Sequence, residues 1–71
     1  MPVYWRESLP IVVDRANSLC RNRMYAAARD HYLLAAELAR EAEKWLLEDL
    51  QVFMAWYCDE RLQGRTPMEL P

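Results

Sequence analysis

The sequence predicts an all-α fold: a helical hairpin with a short first helix and a long second helix, pairing into a dimeric bundle. Three observations predict it. From Met24 to Leu62 there is neither proline nor glycine. Apolar residues before and within that run recur at the i, i+3, i+4, i+7 spacing of a helix face. A chain of 71 residues also buries too little surface alone to be more than marginally stable, so it depends on very good packing or on a partner.

The first eight residues read as a lead-in with apolar side chains at Val3, Tyr4 and Trp5. Ser8 is placed as a helix N-cap, because its hydroxyl can accept from an orphan backbone N–H. Pro10 follows in the first turn, where its missing N–H costs little. Leu9, Val12, Val13, Ala16, Leu19 and Cys20 then share one face of a first helix over residues 9–21. Asn22, in the Arg21–Arg23 segment, tolerates the left-handed backbone that a tight helix–helix turn needs.

The second helix is expected over residues 24–62, stopped by Gly64 and Pro67. At 1.5 Å per residue it would reach ~58 Å, against ~20 Å for the first helix. The first helix would therefore cover only half of it. A break near residues 41–44 would fold residues 45–62 back as a third helix, but no turn residue marks one. Residues 63–71 read as a flexible tail.

The uncovered half holds the densest apolar stretch, Trp45 to Cys58, with eleven apolar positions of fourteen. Trp45, Leu46, Leu50, Phe53, Trp56 and Tyr57 lie there, with Asp49 among them in angle. The apolar arc of the long helix spans roughly 180–200°, against about 100° for an ordinary surface helix. An arc that wide can touch two neighbours, the first helix and a second copy of the chain, as in a four-helix bundle. Trp and Tyr are also the residue types that dominate binding hot spots. These seven residues are the candidate dimer or protein-binding interface. Asp49 reads first as a partly exposed carboxylate at the edge of that seam, and second as a buried polar residue that fixes register or pairs with an arginine across it.

The opposite side collects Arg29, Asp30, Glu37, Arg40, Glu41, Lys44, Glu48, Gln51 and Asp59, the composition of a solvated face. Charge is uneven along the chain. Residues 1–29 carry five basic and two acidic side chains, and residues 30–71 carry four and nine. That acidic half argues against a general nucleic-acid binder, whose footprint is a basic face. Arg21, Arg23 and Arg29 near the turn are the positions available for phosphate or acidic-protein contacts.

Catalysis and metal binding find little support. The possible soft ligands are Cys20, His31 and Cys58, without the short paired spacings of a zinc site. No orienting third group accompanies a Cys–His pair, and no cofactor is expected. On a straight second helix Cys58 would stand ~50 Å beyond the turn that follows Cys20, too far to bond to it. No basic segment followed by an apolar run opens the chain, and Glu48, Asp49 and Gln51 interrupt the apolar stretch. A cytoplasmic, non-membrane protein is expected, in the host bacterium if phage-encoded.

The segment 24–39, "MYAAARDHYLLAAELA", resembles the second helix of a tetratricopeptide or MIT-type helical hairpin. Tyr25, Ala28, Tyr32 and Ala35 fall at the aromatic and small positions that let a neighbouring helix approach closely. The glycine usual in the first helix of that repeat is absent, as is a second repeat, so the resemblance implies a hairpin and no peptide groove. In size and character the chain also resembles phage- or mobile-element-encoded inhibitors and bacterial anti-activators. That resemblance implies a non-catalytic module that binds and disables a host protein such as a transcriptional activator. A small nucleic-acid-binding regulator using Arg21, Arg23 and Arg29, and a structural or assembly adaptor, are the alternatives.

Overall fold

The computed structural model describes residues 8–64, so most of the lead-in and of the tail lies outside it. Within those residues the chain forms α1 (Leu9–Arg21), α2 (Tyr25–Glu41) and α3 (Trp45–Leu62), with no strand. The fold is all-α, but it is a three-helix arrangement rather than a two-helix hairpin. The expected long second helix is broken, and its C-terminal half folds back on α2.

The break is made by backbone geometry that the composition conceals. α1 ends with Asn22 at φ −87°, ψ 9°, followed by Arg23 at φ 62°. α2 ends with Ala42 at φ −89°, ψ 4°, followed by Glu43 at φ 59°. The hydrogen bonds repeat as well. Arg23 N–H donates to the Cys20 carbonyl at 3.0 Å, and Met24 N–H to the Leu19 carbonyl at 2.9 Å. Glu43 N–H donates to Arg40 at 3.0 Å, and Lys44 N–H to Ala39 at 2.8 Å. This is a Schellman ending, in which a left-handed residue lets its own N–H and the following one satisfy the last carbonyls of the helix. Gly64, at φ 78°, ends α3 with the equivalent bond to Arg61 at 3.1 Å. Only that third ending uses glycine. Arginine and glutamate take the left-handed position at the other two, against a cost of roughly 1–2 kcal/mol for a residue with a Cβ.

At its start α1 departs from expectation in one detail. Ser8 occupies the N-cap position and its carbonyl accepts from Val12 N–H at 3.1 Å, yet its hydroxyl makes no capping hydrogen bond.

Both α1 and α3 pack on α2, and touch each other far less. α2 can take a helix on each side because its buried residues are mostly small: Ala28, Ala35, Ala36 and Ala39. Tyr32 is the largest fully buried side chain. Its hydroxyl donates to Asn17 Oδ1 on α1, so the polar tip of the ring is satisfied inside the core. The main cluster joins all three helices through Ala16, Ala28, Tyr32, Ala55 and Cys58, with Cys20 packed against it.

Folding α3 back overturns the wide separation expected for the cysteines, because Cys20 and Cys58 share one cluster. It also draws residues off the expected solvated face. Arg29 Nη1 lies 2.9 Å from Asp59 Oδ1, a half-exposed pair linking α2 to α3. Arg61 sits over the Tyr25 ring, 5.5 Å from its centroid. Gln51, expected in solvent, is 2% exposed.

Candidate protein-docking face

α3 is apolar nearly all round, a composition that usually marks a helix covered on every side. Here one side is covered. The side facing α2 carries Leu47, Gln51, Met54, Ala55 and Cys58, which are buried or half-buried. These residues are on average smaller or more polar than those on the far side. The turn at Ala42–Lys44 fixes this rotation. With Ala55 and Cys58 inward, the 100° step of the helix carries Trp45, Phe53 and Trp56 outward.

The outward residues form two adjacent ridges. Trp45, Asp49, Val52 and Trp56 follow the i, i+4, i+7, i+11 spacing, and so do Leu46, Leu50, Phe53 and Tyr57. Leu46 is 87% exposed and Trp45 is 55% exposed. Leu50, Val52, Phe53 and Trp56 are each about half exposed. Phe53 and Trp56 brace one another across the ridges, with centroids 5.7 Å apart and planes tilted by 41°. Tyr57 belongs to this face only in part, because it leans on the buried cluster.

Asp49 is exposed in the middle of the first ridge, neither buried nor within the packing of this chain. Its carboxylate is a charge set among apolar side chains. A partner covering the face would have to meet it with a basic group or leave it at the rim, since an unpaired buried charge is costly.

Other large apolar side chains are exposed too. Ile11 on α1 and Leu33 and Leu34 on α2 are partly solvated. Scattered residues of this kind are ordinary on protein surfaces, whereas a contiguous apolar patch marks an interaction site. Among the described residues, only α3 carries a run of such residues along two neighbouring ridges.

The three arginines separate. Arg21 and Arg23 are exposed at the α1–α2 turn. Arg29, on α2, is engaged with Asp59 of α3, and its Nε lies 3.8 Å from Asp30. His31 donates from Nδ1–H to the Ala27 carbonyl, 2.9 Å away on its own helix. Among the described residues no group of three or more His, Cys, Asp or Glu is placed to hold a metal ion. Among them, too, no helix is long and apolar enough to cross a membrane.

Two features of the interior escaped the sequence reading. One is the meeting of Cys20 and Cys58, which depends on the left-handed Glu43 that returns α3 onto α2 and which no glycine or proline signals in the sequence. Burial first, and then the neighbouring Cys20, push the Cys58 thiol up to about 11. Burial and both thiols likewise push the Tyr32 hydroxyl up to about 12. The other is Gln51, whose Oε1 is buried without a hydrogen-bond partner. No protein-family model, curated protein or solved structure matches this chain, so the face is read from its own geometry.

Proposed function

We propose that this chain is a non-catalytic protein-binding module that docks a partner protein on the outer face of α3. The observation that supports the reading is the inverted distribution along α3. Its aromatic and large aliphatic side chains point away from α2, the helix that covers most of it among the described residues. Turning such residues outward gives up about 1.5–3 kcal/mol for each side chain that could have been buried instead. A partner that covers the face recovers that energy. Trp45, Leu46, Leu50, Phe53 and Trp56 are the anchors, and Asp49 selects a partner with a basic side chain beside an apolar groove.

The role of inhibitor follows from the resemblance in size and character to phage-encoded inhibitors and anti-activators. On this reading the partner is a host protein, such as a transcriptional activator, whose working surface is occupied. In the absence of the host protein the same face pairs with a second copy of the chain. The four-helix dimer drawn from a long second helix is replaced by contact between two α3 faces.

The test compares substitutions that spare the fold. Leu46→Asp and Phe53→Asp should abolish capture of the partner and self-association. Ile11→Asp, at an exposed apolar position on α1, should leave both intact. Circular dichroism should show helical, cooperatively unfolding chains in all three. Equal capture by all three variants, or a monomer that captures no stoichiometric partner, would overturn the reading. Of the alternatives, nucleic-acid binding would show as steeply salt-dependent affinity lost with Arg21→Ala and Arg23→Ala. An assembly adaptor would instead be insoluble alone and rescued by co-expression with its partner.

A further inference from the structure

Cys20 and Cys58 are the cysteines of the chain, 38 positions apart, and the fold brings them to one place. Cys20 lies near the C-terminal end of α1 and Cys58 in the last third of α3. These are the helices that otherwise touch least. Both thiols are free, Cys20 half-buried and Cys58 fully buried. Tyr32 belongs to the same cluster, so the three groups meet between the helices, and both thiols raise its hydroxyl.

We propose that Cys20 and Cys58 form a thiol–disulfide exchange site, which reacts with a low-molecular-weight disulfide of the glutathione type and closes into an intramolecular α1–α3 bond. The order of events follows from exposure. A reagent in solvent reaches Cys20, while Cys58 has no exposed surface. In the first step the Cys20 thiolate attacks one sulfur of the reagent. The reagent's S–S bond breaks, one small thiol leaves with a proton, and a mixed disulfide stands on Cys20. In the second step the Cys58 thiolate attacks the Cys20 sulfur. The mixed S–S bond breaks, a second small thiol leaves, and the Cys20–Cys58 bond forms. Two protein thiols are oxidised and one small disulfide is reduced to two thiols, so atoms and electrons balance.

The two steps have different pH profiles. The thiolate is the attacking species, and burial, the largest cause of its raised value, holds the Cys58 thiol protonated at neutral pH. Closure is therefore the slow step. It speeds up by about tenfold per pH unit until Cys58 titrates.

Closure ties the third helix to the first. It locks α3 in the rotation that leaves Trp45, Phe53 and Trp56 outward. It also reports on the fold itself, because in one continuous helix over residues 24–62 the two sulfurs would be ~50 Å apart. The inference stands whether or not the outer face of α3 has a partner.

The experiment treats the reduced full chain, at high dilution, with oxidised glutathione and follows intact mass with time. A transient adduct of one glutathione on Cys20 should give way to a species two hydrogens lighter than the reduced chain. Peptide mapping should join the segments holding Cys20 and Cys58. Reducing agent should reverse the change, and the oxidised form should melt several degrees higher. Cys58→Ser should stop at the adduct, and Cys20→Ser should resist modification while folded. A wild-type chain that stops at the adduct would overturn the proposal. So would one that links only to other chains, or one modified first at Cys58. The wild-type time course decides the matter even if either variant folds poorly.

Discussion

Two neighbouring helices of nearly equal length, α2 with 17 residues and α3 with 18, distribute their apolar residues in opposite ways. α2 turns Ala28, Tyr32, Ala35, Ala36 and Ala39 inward and is packed on both sides. α3 buries Gln51, Ala55 and Cys58 and leaves two tryptophans, a phenylalanine and several aliphatic residues in solvent. α2 is therefore the structural element of this chain, and α3 is the element whose composition is explained by something outside it. A helix optimised only for folding would have placed Phe53 or Trp56 where Ala55 and Gln51 sit.

Deleting a large aromatic from each helix tests that contrast with the largest expected effect. Tyr32→Ala removes the largest buried side chain and the hydrogen bond to Asn17. It should cost about 3–5 kcal/mol, much of the stability available to a domain this small. Trp56→Ala removes a larger side chain from α3, yet at dilutions where the chain is monomeric it should cost about 0.5 kcal/mol or less. Urea unfolding followed by circular dichroism reads both. Comparable losses would mean that the outer face of α3 is part of the chain's own core.

The inner faces of the two helices can also be separated by pH. Cys58 on α3 and Tyr32 on α2 are neutral when protonated, and the fold raises them from 9.0 to about 11 and from 10.0 to about 12. A raised folded-state value means that the stability is fully present below the unfolded value. It is lost as pH rises through the folded one. At about 1.4 kcal/mol per unit, the raised Cys58, together with its thiol neighbour, accounts for a loss on the order of 1–3 kcal/mol between pH 9 and 11. Thermal melts across that range should fall steeply for the wild-type chain. Cys58→Ala should be flatter up to pH 10, leaving the later fall due to Tyr32.

Much of this was legible in the residues. The pattern Leu9, Val12, Val13, Ala16, Leu19, Cys20 specifies the buried side of a first helix, and Tyr25, Ala28, Tyr32, Ala35 specify a second with small inward positions. The apolar set of α3 was legible as a surface in need of a cover. Its direction was not. Direction depends on the turn at Ala42–Lys44, which uses a left-handed glutamate where sequence reasoning looks for glycine or proline. Helix propensity speaks for continuity there, because Ala, Glu and Lys are all good helix formers. Packing of α3 on the alanine face of α2 outweighs it. With the continuous helix preferred over the break near residues 41–44, the meeting of Cys20 with Cys58 and the burial of Gln51 did not follow, since both depend on α3 returning.

Gln51 offers a smaller and opposite effect. It lies on the inward side of α3, 2% exposed, and its Oε1 finds no hydrogen-bond donor. A buried polar atom without a partner costs about 1–3 kcal/mol. Gln51→Met keeps the length of the side chain and removes the amide, and should stabilise the chain by about 1 kcal/mol. Differential scanning calorimetry should show a rise of about 4–8 °C for each kcal/mol in a domain this size. The expectation sharpens the contrast between the helices, because the inner face of α3 can be improved while that of α2 is already apolar apart from the satisfied Tyr32 hydroxyl.

The smallest expected effect addresses the turn that sets the two helices against each other. Glu43 holds φ 59°, where a Cβ crowds the following carbonyl, while its N–H closes the end of α2 onto Arg40. Glycine there relieves the crowding, roughly 1–2 kcal/mol. It also adds conformational freedom to the unfolded chain, which takes back about 0.5–1 kcal/mol. Glu43→Gly should therefore raise stability by about 0.5–1 kcal/mol. Glu43→Val, β-branched in a left-handed position, should lower it. The pair of variants distinguishes a broken helix from a continuous one. In a continuous helix glycine would be the destabilising member, by about 1 kcal/mol relative to alanine. A melting temperature that falls with Glu43→Gly would put α2 and α3 back into a single helix and would turn the aromatic face of α3 in a different direction.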